Sequence, residues 1–259
     1  MSTLTQPTVN ANPAIITESQ FYRYTTSWME ALEGPNDGLL QSCFTLSDSA
    51  DTPNKWLGRF YFKADDIISV LSTVGLHTIM IQFGIKTDHS LFTPILVGYN
   101  RGGLQVTPYY VGQKEGSLVL GQMQTPDLMT DYTSDQVPDV LANTWIAQWV
   151  EVATIDKSLF HTPLGYLRGY TFLMQDFLDA LSLLKSDKDT FVVVYLALHQ
   201  YLGSDGQQNS TFGLVIGAQN NATHLPDSDS RANTISRQRQ VYYDLSAPCP
   251  PTCRSQQLQ

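Results

Sequence analysis

The chain has 259 residues, of which 42% are hydrophobic and 15% charged, with a formal net charge of −9. That length can bury a sizeable core without covalent staples. The acidic balance argues against proteins that work by neutralising nucleic-acid phosphates or by docking electrostatically on anionic lipid, and no window approaches the roughly 18 to 20 apolar residues of a membrane span.

Residues 1–16 have neither the charged start nor the apolar centre of a signal peptide, and read as a disordered arm on a cytoplasmic protein. Thr17-Glu18-Ser19-Gln20 has capping-box spacing, in which a hydroxyl accepts a backbone N–H and Gln20 reaches back. Phe21, Tyr24, Trp28 and Leu32 then fall at three- and four-residue steps, the apolar stripe of a helix ending before Gly34-Pro35. Residues 34–56 are rich in Gly, Pro, Asp, Asn and Ser around Cys43-Phe44-Thr45-Leu46, and read as a loop carrying one edge strand.

Phe60 to Phe62 reads as a short strand, followed by a helix that opens with Asp65-Asp66, where the dipole favours negative charge. Ile67, Ile68, Leu71 and Val74 form its expected buried face, and Gly75 stops it. Thr78 to Ile85 alternates as a half-buried strand, and Pro94 to Tyr99 returns as its hairpin partner. Leu104 to Val111 and Ser117 to Gln122 supply two further short strands. Val140, Leu141, Trp145 and Trp149 have helical spacing, and Phe172, Met174, Phe177, Leu178, Leu181 and Leu184 mark a second inner helix. The unbroken run Phe191 to Leu198 reads as a central strand buried on both faces; Phe212 to Gly217 follows, and residues 239–245 add a last strand.

The two parts echo each other. Arg59-Phe60-Tyr61-Phe62, Asp66-Ile67-Ile68-Ser69-Val70-Leu71 and Ile95-Leu96-Val97-Gly98 match Arg168-Gly169-Tyr170, Asp176-Phe177-Leu178-Asp179-Ala180-Leu181 and Leu214-Val215-Ile216-Gly217. With the Trp-bearing helices included, the repeating unit is residues 17–100 and 137–220. The expected fold is α+β, with two similar halves, each an outer helix, an inner helix and a mainly antiparallel sheet. The expected division is an arm at 1–16, halves at 17–124 and 137–246, a linker at 125–136 and a Cys/Pro tail at 247–259.

Few residues stand out chemically. Arg59 and Arg168 each precede a Tyr by two positions and lie upstream of a helix opening with Asp66 or Asp176. Two readings stand: a structural pair in each half, with Arg forking onto a carboxylate, or a ligand site to which both halves contribute an Arg. His199, at the end of the most buried strand, could face a crevice. The other histidines lack ligand spacing, there is no Gly-x-Ser-x-Gly elbow or phosphate loop, and no catalytic, metal or cofactor set is identified. Cys249 and Cys253, around a stiff Pro-Pro, could form a small disulfide loop, contribute to a metal site or simply be exposed.

The last ten residues of this pattern, Asp244-Leu245-Ser246-Ala247-Pro248-Cys249-Pro250-Pro251-Thr252-Cys253, together with Trp28, Ile67-Ile68-Ser69-Val70-Leu71, Ile79-Met80-Ile81-Gln82-Phe83 and Ile95-Leu96-Val97-Gly98-Tyr99, resemble an uncharacterised family of Bacteroidetes proteins. Gln82 stands where that family has an Arg. The resemblance implies a bacterial protein made of two fused copies of a single-unit relative, and it implies no activity. The expected function is a non-enzymatic interaction or structural module with a protein partner or self-association, and with no nucleic-acid or membrane partner. The alternative is a small-ligand receptor or enzyme with a site between the halves.

Overall fold

The computed structural model describes residues 14–35, 38–45, 56–86, 91–114, 136–182, 190–202, 208–220, 242–243 and 247–249. These residues fold as an α+β structure with two six-stranded antiparallel sheets. The first part of the chain contributes β1 (Ile15–Ile16), α1 (Glu18–Glu33), α2 (Gly38–Phe44), β2 (Arg59–Lys63), α3 (Ala64–Leu71), β3 (Leu76–Lys86), β4 (Leu91–Asn100), β5 (Tyr109–Val111) and β6 (Gln113–Lys114). The second contributes β7 (Gln136–Val137), α4 (Asp139–Glu151), a 3-10 turn (Lys157–Phe160), β8 (His161–Thr162), β9 (Gly165–Tyr166), β10 (Gly169–Leu173), α5 (Met174–Ser182), β11 (Thr190–Leu202), β12 (Gln208–Asn220), β13 (Tyr242–Tyr243) and β14 (Ala247–Cys249).

The strand orders carry the main result. One sheet runs β1-β5-β4-β3-β10-β14 and the other, read from its far edge, β7-β13-β12-β11-β2-β6. Each sheet takes four strands from one half and two from the other, so the expectation of one sheet per half gives way to two composite sheets. The cause is the inner helix: α3 leaves β2 in one sheet and delivers the chain to β3 in the other, and α5 does the reverse from β10 to β11.

The strand that each half lends pairs in a similar way. Tyr170 and Phe172 lie opposite Ile81 and Ile79, as Phe60 and Phe62 lie opposite Val194 and Val192. The backbone N–H of Phe83 donates to the Arg168 carbonyl at 2.8 Å, and that of Leu196 donates to the Gly58 carbonyl at 2.9 Å. When the two lent strands are set side by side by these pairings, Arg59 falls at the place of Gly169 and Arg168 at that of Gly58. This corrects the pairing of Arg59 with Arg168, which is slipped by one residue; such a slip puts matched side chains on opposite faces. Tyr61 faces outward with Val193 and Tyr195, whereas Tyr170 faces the central core. Gly169 cannot carry a side chain, because a Cβ there would lie 2.3 Å from the Ile81 carbonyl oxygen, at φ +155°.

Between the sheets lies an aromatic cluster. The Trp28 ring meets Phe92 at 5.3 Å and Phe160 at 5.1 Å, and the Trp149 ring meets Phe212 at 5.0 Å and Phe44 at 5.2 Å. Phe44 stacks on Phe92 at 4.6 Å, Phe160 packs on Phe212 at 4.8 Å, and Phe44 stacks on Phe160 at 5.7 Å. Such pairs each contribute about 0.5–1.5 kcal/mol beyond their area. The indoles also fasten one half to the other: Trp28 Nε1 donates to the Leu167 carbonyl at 2.8 Å and Trp149 Nε1 to the Leu57 carbonyl at 2.7 Å.

Helix α1 starts as its residues dictate. Gln20 N–H donates to Thr17 Oγ1 at 3.3 Å, and Thr17 N–H donates to Gln20 Oε1 at 2.9 Å. Phe21 and Tyr24 cover the outer face of β3 and β4, and Ala142, Trp145 and Ile146 of α4 cover β11. Three local expectations are corrected. Residues 38–44 form helix α2, which buries Leu40, Cys43 and Phe44, where an edge strand was expected. Ile68 is half exposed and Val74 almost fully so, because α3 turns Ile67 and Val70 to the core and ends at Leu71. Val140 and Leu141 are exposed on α4. The expected strand at 117–122 lies outside the described residues, as do residues 1–13, 115–135 and 250–259. Among the described residues no helix is long and apolar enough to cross a membrane.

Candidate functional site

The residues singled out from sequence occupy separate places. Asp66 and Asp176 are the third residues of α3 and α5, and both are buried. Asp176 Oδ2 accepts the Leu173 backbone N–H at 2.9 Å, so this carboxylate closes the helix start and meets the positive end of the dipole. The Asp66 carboxylate lies close enough to Tyr110 to help raise its phenol pKa, although burial is the larger cause.

Arg59 sits on the outer face of its sheet opposite Tyr195, with its guanidinium carbon 5.3 Å from the Tyr61 ring centroid. Arg168 precedes β10 at the other sheet, where its carbonyl receives Phe83. His199 lies under α4, its ring 4.2 Å from that of Trp145 and packed against Gly213. Burial lowers its pKa to about 4. The fold thus assigns the two arginines to different sheets and His199 to a helix–sheet contact. Cys249 belongs to β14, where Gly169 is its partner; Cys253 lies outside the described residues, and with it the proposed bond.

A different group of residues forms an open cleft of about 520 Å³, lined by Lys157, Ser158, His161, Tyr166, Asn209 and Ser210 with Leu159. Its walls are built locally. Asp156 Oδ1 accepts the Ser158 N–H at 2.8 Å and also takes the Ser158 hydroxyl proton, which folds residues 157–160 into a 3-10 turn. The hairpin β8–β9 follows, closed by Thr162 Oγ1 donating to the Gly165 carbonyl at 2.8 Å, with Gly165 at φ +116° supplying the tight turn. The hairpin stem is pinned where Leu167 N–H donates to the Phe160 carbonyl at 2.8 Å. His161 and Tyr166 are opposite partners on it, their rings 5.3 Å apart and edge to face. Asn209 and Ser210, at the start of β12, complete the wall.

His199 is not among the described residues that line this cleft; its ring packs under α4 against Trp145. Sequence reading missed the cleft because its lining comes from three segments, each with an ordinary composition. Among the described residues no three His, Cys, Asp or Glu side chains cluster as metal ligands would. Compared with protein-family models, curated proteins and solved structures, the chain matches none.

Proposed function

We propose that the protein is a non-enzymatic interaction module, an internally duplicated pair of halves that acts through its surface and first of all pairs with another copy of itself. The observation that carries this reading is the exchange of strands, by which each half completes the sheet of the other. Such interlocking resembles a swapped dimer fused into one chain. The bacterial lineage implied by the tail and a cytoplasmic setting go with this reading. Cys43, which forms no disulfide, fits a reducing compartment.

The surface where α3 and α5 meet supports the same conclusion. Ile68 on α3 and Leu178 on α5 occupy corresponding positions and stay exposed, at 50% and 39%, beside exposed Leu173 and Met174. Neighbouring apolar side chains left in water mark contact surfaces, and a patch repeated on two paired helices can face its own copy about a twofold axis. Sedimentation velocity over a range of concentrations tests this. Reversible self-association that disappears in the I68S/L178S chain is expected; a wild-type chain that stays monomeric throughout overturns it.

A further inference from the structure

The chain passes from its first half to its second once, between Lys114 and Gln136, and everything else that joins the halves is non-covalent. The first half lends β2 to the sheet built on β11 and β12, paired from Lys63 opposite Phe191 to Arg59 opposite Tyr195. The second lends β10 to the sheet built on β3 and β4, paired from Gly169 opposite Gln82 to Leu173 opposite Thr78. Three indoles reach across the same boundary: Trp28 Nε1 donates to the Leu167 carbonyl at 2.8 Å, Trp149 Nε1 to that of Leu57 at 2.7 Å and Trp56 Nε1 to that of Val152 at 2.7 Å. The aromatic cluster is shared in the same way. Phe44 of the first half meets Trp149 and Phe160 of the second at 5.2 and 5.7 Å, and Phe212 of the second meets Phe83 and Phe92 of the first at 5.5 and 6.0 Å. All six of these side chains are fully buried, so the boundary between the halves is core rather than surface.

None of these contacts requires the two halves to belong to one chain. A second copy presents the same lent strand, the same receiving edge and the same rings, so the first half of one molecule fits the second half of its neighbour, and reciprocally. A covalent tie adds only the effective concentration at which one half meets the other, on the order of millimolar for a flexible tie. Closure within a chain is therefore favoured in dilute solution, by concentration and not by any contact of its own. A half whose own partner cannot close is left with an open edge on β3 or β11 and a bare face of the aromatic cluster. Such an edge is a template for the matching strand of another chain.

We propose that two copies of the chain pair by reciprocal exchange of halves, the first half of each closing on the second half of the other through β3–β10, β2–β11 and the aromatic cluster. This mode goes beyond contact through the surface of α3 and α5 and needs neither Ile68 nor Leu178. Two full-length variants test it, F44D and F212D, because each puts a carboxylate into the cluster from a different half and so blocks closure within its own chain. An exchanged pair of F44D with F212D contains one two-sheet structure whose halves are both intact. Each variant alone is expected to lose the wild-type thermal transition. Refolded together from urea at micromolar concentration, the two should form a one-to-one, two-chain particle by light scattering and regain that transition. The rescue should persist when both chains also carry I68S/L178S, whereas a wild type that stays monomeric in sedimentation would remove the surface contact and leave this exchange standing. A mixture that melts as the sum of its components, either variant alone keeping the wild-type transition, or a rescue lost with I68S/L178S would overturn the proposal.

Discussion

His199 lies between the indole of Trp145, 4.2 Å away between ring centroids, and the backbone of Gly213, and burial pulls its pKa from 6.5 to about 4. The folded chain therefore keeps the ring neutral at a pH where the unfolded chain binds a proton. The stability that depends on this neutral ring is complete above about pH 6.5 and is lost as pH falls toward 4. Inside that window one proton costs up to about 1.4 kcal/mol per pH unit, and less for a ring that keeps some contact with water. Replacing His199 with Phe preserves a ring against Trp145 and removes the titration. Denaturation at a series of pH values should show the variant losing less stability than the wild type between pH 6.5 and 4; parallel curves would contradict this account of His199. The same physics makes Cys43 inert: burial raises its thiol to about 11, so the nucleophilic thiolate is scarce at neutral pH. The reason is visible in the sequence, where no Lys or Arg lies between Gly34 and Pro53.

At the scale of elements, α1 and α4 act as clasps. Each places a Trp in the shared core and donates its indole N–H to a carbonyl just ahead of the strand that the other half lends, Leu167 for Trp28 and Leu57 for Trp149. Trp28→Phe or Trp149→Phe removes the donor and leaves a buried carbonyl without it, which costs about 1–3 kcal/mol. Urea unfolding should give the two variants similar losses; a substantial loss in one and none in the other would show that the clasps are not equivalent. Both helices were legible as apolar stripes, and the capping box at Thr17 formed as its spacing required. Helix α2 was not legible, because residues 38–44 sit among Gly, Pro, Asp and Ser whose turn preferences outweighed a seven-residue apolar pattern. On α3 and α4 the error was one of facing. Ile67 and Trp149 are buried as expected, but Ile68, Val74, Val140 and Leu141 are exposed while Val70, Ala142 and Ile146 join the core, and which neighbours a helix receives is a tertiary fact.

For the whole molecule, the backbone pairings of the two sheets do not keep the register in which the expected echo between halves was read. The apolar runs of β3, β11 and β12 match nearly as well after a slip of one residue, so the similarity of Arg59 with Arg168 and of Gly98 with Gly217 looked persuasive. Backbone pairing settles it: Leu96 faces Ile81 as Ile216 faces Val194, so Val97 rather than Gly98 corresponds to Gly217. Strand exchange was equally hidden, because nothing in the residues of β2 says whether it joins its own hairpin or that of the other half. The cleft escaped for a related reason: its lining becomes adjacent only once the turn, the hairpin and β12 are assembled. The exchange is the central claim, and it has a direct test in the co-expression of residues 1–124 and 125–259 as separate chains. Because β2 completes one sheet and β10 the other, neither piece can bury its side of the aromatic cluster alone. Calorimetry on the co-purified pair should show a one-to-one complex with a single cooperative transition, and neither piece alone should melt cooperatively. A cooperative transition from either fragment by itself would contradict the account.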